Sequence, residues 1–235
     1  MRGSILPSSL CRDPGRRADE SPAKDVRERK DACRVGSVRQ TRNDHVFDLT
    51  RAMRHLCWDM VARLPELEHI DLEPVAIGFS QSRGRACHGL VASLTPLRFE
   101  TGARHAMIDG RRYRMAPLLD RSGREKLYIL TYFIPRFFDA PLEEKLSTTL
   151  HELWHISPHF DGDLRRHEGR YPIHGRSQKA YDHQMDQMAQ RWLALDPPLA
   201  VYDFLQWSFQ ELVAEYGSVV GTRISTPRLI PDDAV

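Results

Sequence analysis

No apolar run in this chain approaches the roughly 20 residues needed to cross a bilayer, which excludes a helical membrane span. Cysteine is scarce. Cys11, Cys33, Cys57 and Cys87 form no C-x-x-C pair, and none follows Cys87. A disulfide frame is therefore not expected, and reduced thiols in a cytoplasmic protein are. The opening stretch, MRGSILPSSLCRDPGRRADE, is too short and broken in its apolar part for a secretory signal. Its Asp13, Asp19 and Glu20 argue against a transit peptide. Internal repeats are missing as well.

Net charge is nearly absent, at +2, but it is unevenly spread. Residues 1–43 hold 11 Lys and Arg against 6 Asp and Glu, while the remaining 192 residues hold 23 against 26. The first segment lacks hydrophobic periodicity and reads as a disordered basic tail. Its charge offers at most weak nucleic-acid contact. What is present is ordinary: 41% hydrophobic and 28% charged residues, over a length that suits one domain plus a tail.

From Val46 to Leu64 apolar residues recur at spacings of three and four, predicting an amphipathic helix. PVAIGFSQSR reads as a strand, HGLVASLTPLRFE as one or two more, and RRYRM as a short one. LYILTYFIP carries the strongest strand signal, closed by Pro135. A helix is predicted to open near Asp139–Leu142, with Asp139 as cap, and to end by Ser157 because Pro158 follows. Phe160 to Arg176 reads as loop. Ser177 caps a second helix with the stripe Tyr181, Met185, Met188 and Trp192. A third helix is expected from about Ala200 to Tyr216, stopped by Gly217, and the last residues look extended.

The chemistry lies in LSTTLHELWHISPHFDGD. Residues four apart share one helix face, so His151 and His155 can offer two imidazoles to one ion. The apolar face, Leu142, Leu146, Leu150 and Leu153, centres about 170° away at 100° per residue. The alternative to a metal site is therefore a solvated polar helix face. Zinc suits two neutral imidazoles. Glu152, beside the ion, would act as general base and take a proton from the bound water. The reaction implied is hydrolysis of a peptide bond without a covalent intermediate. A third protein ligand is needed. His174 is favoured, nineteen residues after His155 and just before a helix that can pack on the first. His159, Asp161, Asp163 and His167 remain open, although the two aspartates suit turn hydrogen bonds better. Tyr171 and Tyr181 are weighed as oxyanion donors, with Tyr181 better suited to the core. Arg165, Arg166 and Arg170 suit a solvated loop, or pairing with Asp161 and Asp163.

HELWHISPHFDGDLRRHEGRYPIHGRSQKAYD resembles the core of a phage metallopeptidase family related to the SprT-like zinc metallopeptidases. His151, Glu152, His155 and His174 match the family pattern of H-E-x-x-H with a downstream histidine followed by glycine. The likeness runs from about Val46 to Leu193. It implies a zincin-like peptidase in which these histidines bind Zn2+, Glu152 is the base, and a protein or peptide is the substrate. It also raises the expectation that strand 128–134 lies at the cleft and pairs with an extended peptide. The cysteine zinc ribbon found in many SprT-like proteins is missing, which puts a DNA-repair role in doubt.

The expected fold class is α+β: a small mixed or antiparallel sheet packed against the H-E-x-x-H helix, with additional C-terminal helices. The expected divisions are 1–43 as tail, 44–198 as SprT-like metallopeptidase domain, and 199–235 as a helix and extended tail packed on it. A zinc-stabilised binding or scaffold protein, possibly nucleic-acid associated, is the rival from another class. No membrane partner is expected, and the oligomeric state is not legible.

Overall fold

The computed structural model describes residues 46–82, 89–166 and 178–232. The architecture mixes α-helices with several small sheets. Among the described residues the strands are β1 (Phe47–Asp48), β2 (Val75–Gln81), β3 (Ala92–Pro96), β4 (His105–Ile108), β5 (Arg111–Met115), β6 (Tyr128–Ile134), β7 (Val219–Val220) and β8 (Leu229–Pro231). The α-helices are α1 (Leu49–Arg63), α2 (Leu142–Trp154), α3 (Gln178–Ala194) and α4 (Phe209–Tyr216).

The central sheet has the order β2-β6-β3, with β2 parallel and β3 antiparallel to β6. β6 is the pivot because its residues are apolar on both faces. Tyr128, Leu130 and Tyr132 enter the main core with α1, α2 and α3. Ile129 points to the other face and joins Ala76 and Leu97 under Met115, Leu118 and Ile224. A strand buried on both faces reads as a near-continuous apolar run, which is why YILTYFI gave so strong a signal. Its place is not at a cleft, however. β6 is paired along both edges, so the expectation that strand 128–134 takes up a peptide is corrected: β3 is the edge strand that neighbours α2.

α1 starts later than its apolar spacing suggests. Asp48 caps it by accepting the Arg51 N–H at 3.0 Å, and Val46 lies outside it, exposed. Leu49, Met53, Leu56, Cys57 and Met60 bury the inner face. Burial pushes the Cys57 thiol up to about 12, which makes it inert. Asp59 is also buried, where it receives Trp192 Nε1 at 2.9 Å and Arg63 Nε at 2.7 Å, tying α1 to α3.

Two helix expectations fail on capping chemistry. Pro141 occupies the cap position of α2 and no side chain caps it, so Asp139 does not serve. The single helix over 200–216 is replaced by two 3-10 turns, Leu199–Val201 and Asp203–Gln206, followed by α4. Ser208 opens α4 through a reciprocal capping box with Glu211, and Gly217, at φ 69°, ends it. The S-x-x-E signal stood in the sequence and marks the true start.

After α4 the chain acts as a strap. β7 pairs with β1, Thr222 O accepts the Phe79 N–H at 2.8 Å along the outer edge of β2, and Ile224 packs on Gly78. A third sheet, β4-β5-β8, packs through Met115 on Ala76, Leu97 and Ile129. No helix among the described residues is long and apolar enough to cross a membrane.

Lys145 is buried in α2, and its Nζ donates to Leu205 O at 2.7 Å and Trp207 O at 3.0 Å. Burial lowers its pKa, with Asp139 and Glu211 opposing. Lys145→Ala removes the ammonium that donates to two carbonyls in the turn leading into α4, and it opens a void. The expected cost is about 2–4 kcal/mol, read as a lower urea midpoint at unchanged m-value.

Candidate metal centre

α2 is buried on two sides. Leu146, Leu150 and Leu153 face the main core, as their spacing predicts. The opposite side is not solvated. Glu152 and His155 are 8% and 7% exposed, and His151 is half-buried. This excludes the solvated polar face that composition left open.

The cover comes from two elements. On α3, the stripe Tyr181, Met185, Met188 and Trp192 is buried. The Tyr181 ring meets the His151 ring edge-on, with centroids 4.8 Å apart, and lies nearly parallel to the His155 ring at 5.9 Å. Tyr181 is thus a core residue that also walls the histidine pair. On the other flank is β3, where the Leu94 backbone N–H lies close enough to the Glu152 carboxyl to lower its pKa. Behind it stands Tyr132 of β6, near Thr149 and Cys57. Leu94 and Tyr132 carried no functional signal in the sequence. Their place follows from the pairing of β3 with β6.

His151 and His155 turn their Nε2 atoms toward each other at 2.9 Å, with ring planes at 82°. Two imidazole nitrogens this close share either a proton or an ion. Ligand bonds of about 2.0–2.1 Å from each nitrogen to one zinc would subtend roughly 90° at that separation. A slight widening reaches the tetrahedral angle. The donor set therefore fits zinc at two positions. Among the described residues no group of three or more His, Cys, Asp or Glu could hold a metal. His174 and His167 lie outside the described residues, as do Tyr171, Arg170 and Ser177.

The remaining candidates have other tasks. His159 is exposed, and its N–H donates to Ser157 Oγ at 3.2 Å. Asp161 Oδ1 accepts the Asp163 N–H at 3.1 Å. Asp163 accepts the Thr101 N–H at 2.9 Å and the Leu164 N–H at 2.8 Å, and Arg166 binds it through Nε and Nη2 at 3.0 Å each. Both aspartates are turn acceptors, as their setting suggested. Arg165 donates its Nε to Trp154 O at 2.7 Å and stacks on the Trp154 ring. The turn is held against the sheet because Tyr128 Oη donates to Asp163 O and accepts the Gly162 N–H, both at 2.9 Å. Gly162, at φ 88°, has no room for a side chain: a Cβ there would meet Arg98 Cγ at 2.5 Å.

Burial raises the Glu152 carboxyl from 4.5 to about 7, against the Leu94 N–H, which lowers it. A folded-state pKa above the unfolded value means that stability falls as pH rises from about 4.5 to 7 and stays lost above that. In chelator-treated protein, Glu152→Gln should therefore raise the unfolding temperature at pH 8 and leave it nearly unchanged at pH 4. Equal melting of the two proteins at pH 8 would contradict the buried carboxylate.

Comparison with known proteins finds no matching family model, no matching curated protein and no matching solved structure. The functional reading rests on the two converging imidazoles and the buried carboxyl of Glu152 on the same helix.

Proposed function

We propose that the protein is a zinc-dependent peptidase with a zincin-like arrangement. His151 and His155 would hold the metal, His174 would complete the protein ligands, and Glu152 would be the general base. The observation that carries this reading is the meeting of the two Nε2 atoms at 2.9 Å on the buried side of α2, which also carries the buried Glu152 carboxyl. Zinc bound there would lower the pKa of a coordinated water toward neutrality and polarise the peptide carbonyl.

The chain's own residues supply the rest. A carboxylate beside a metal-bound water would accept its proton, and burial of Glu152, which raises its affinity for a proton, favours that transfer. Glu152 would take the proton of the attacking water and hand it to the leaving amine. Burial under Tyr181 and β3 excludes bulk water and fixes the carboxylate orientation. Tyr181, packed on both histidine rings, restrains their orientation.

The sheet edges support a peptide as substrate. The β2 edge is covered at Phe79 by the strap, whereas β3 has β6 as its only strand partner among the described residues. An extended peptide can add to such an edge by main-chain hydrogen bonds, next to Leu94 and hence to Glu152. A purely structural metal site has no use for a desolvated carboxylate, which disfavours the scaffold reading.

Two measurements test the proposal. Elemental analysis should find about one zinc per chain in the wild type and much less in His174→Ala. Equal zinc in both would move the third ligand elsewhere, and no zinc in the folded wild type would end the reading. Glu152→Gln should keep its zinc while cleavage of unfolded casein falls by about 10²–10⁴-fold. Unchanged cleavage would remove Glu152 as base.

A further inference from the structure

The lobe built on β4, β5 and β8 carries chemistry that packing does not explain. Residues 98–126 hold eight Lys and Arg against four Asp and Glu, although residues 44–235 as a whole are acidic. β4 and β5 form a tight hairpin through Asp109 and Gly110, both at positive φ. Their register sets His105 opposite Arg114 and Met107 opposite Arg112, so these four side chains share one face. On the other face, Met115 turns inward against Ala76, Leu97 and Ile129.

β8 shows what the outer face can hold. Leu229–Pro231 pairs antiparallel with the outer edge of β5, flanked by Asp232 N–H donating to Arg112 O and Ala116 N–H donating to Arg228 O, both at 2.9 Å. Ile230 lies opposite Arg114, and Asp232, two residues on, faces the same way. The single Asp232 carboxylate meets His105 Nε2 at 2.9 Å, Arg112 Nε at 3.2 Å and Arg114 Nε at 3.5 Å.

We propose that the β5 edge and the His105–Arg112–Arg114 cluster form a docking site for an extended acidic segment of another protein, and that Leu229–Asp232 occupies this site in cis. The recognised pattern is an apolar residue followed two positions later by a carboxylate. A polypeptide fits better than a nucleic acid because half of the recognition is a β-ladder, which a phosphodiester chain cannot form. The cis strand is displaceable on three grounds. It is three residues long. Its ion pairs are partly exposed and therefore weak and screened by salt. Met107 stands largely in solvent and Leu229 is partly exposed. Strands of this kind open locally without global unfolding. The site is independent of the peptidase reading.

The test uses the full chain and a fluorescein-labelled peptide copying residues 226–232. A variant with Ile230→Arg and Asp232→Arg empties the groove, and it should bind the peptide at least tenfold more tightly than the wild type. Adding Arg112→Gln and Arg114→Gln, which cannot form ion pairs with the introduced arginines, should abolish that binding, with melting curves checking that each variant folds. No binding to the folded, emptied variant would overturn the proposal. So would binding indifferent to the two arginines, or displacement of the peptide by a single-stranded oligonucleotide that binds more tightly through those arginines. Hydrogen exchange on the unaltered chain gives a second measure. The Ala116 and Asp232 amides should exchange at least tenfold faster than those of β6, and equal protection would show a permanent strand and refute displacement.

Discussion

The burial of a polar helix face under a second helix is the constraint on which the rest of this structure depends. α2 already commits Leu146, Leu150 and Leu153 to the core. Its other side carries two imidazoles and a carboxylate, groups that are costly to remove from water without partners. The structure covers them nonetheless. Tyr181 supplies an aromatic wall, and the Leu94 backbone N–H lies on the other flank. Burial pushes the Glu152 carboxyl up from its ordinary value, and Leu94 offsets part of that rise. Apolar residues at these positions would cover the same surface at lower desolvation cost.

That arrangement requires a firm sheet, and β6 provides it. Paired on both edges and buried on both faces, β6 holds β3 against α2, and its Tyr128 pins the turn that follows His155. The strap after α4 covers part of the outer edge of β2, which lessens the exposure of that edge to unwanted pairing. Among the described residues β3 pairs only with β6, so it is the edge strand on the side of α2.

The helical periodicity of α1, α2 and α3 was legible from the chain, because each must bury a stripe at spacings of three and four. So was the strand signal of β6. Capping was less legible. Asp139 looked like a cap but is displaced by Pro141, and the true start of α4 lay in the modest Ser208–Glu211 pair. β4 went unread, although Asp109-Gly110 ahead of RRYRM is a hairpin signal.

The sequence by itself determined the spacing of His151, Glu152 and His155 on one helix side, since helical geometry is local and 3.6 residues make a turn. It equally determined the inward stripe of α3. Only the tertiary structure decided that the histidine side is buried, that Leu94 comes near the carboxyl, and that β6 is central while β3 is the edge. Those outcomes depend on which strands pair and in what register, and residues far apart in the chain settle that by filling one core together.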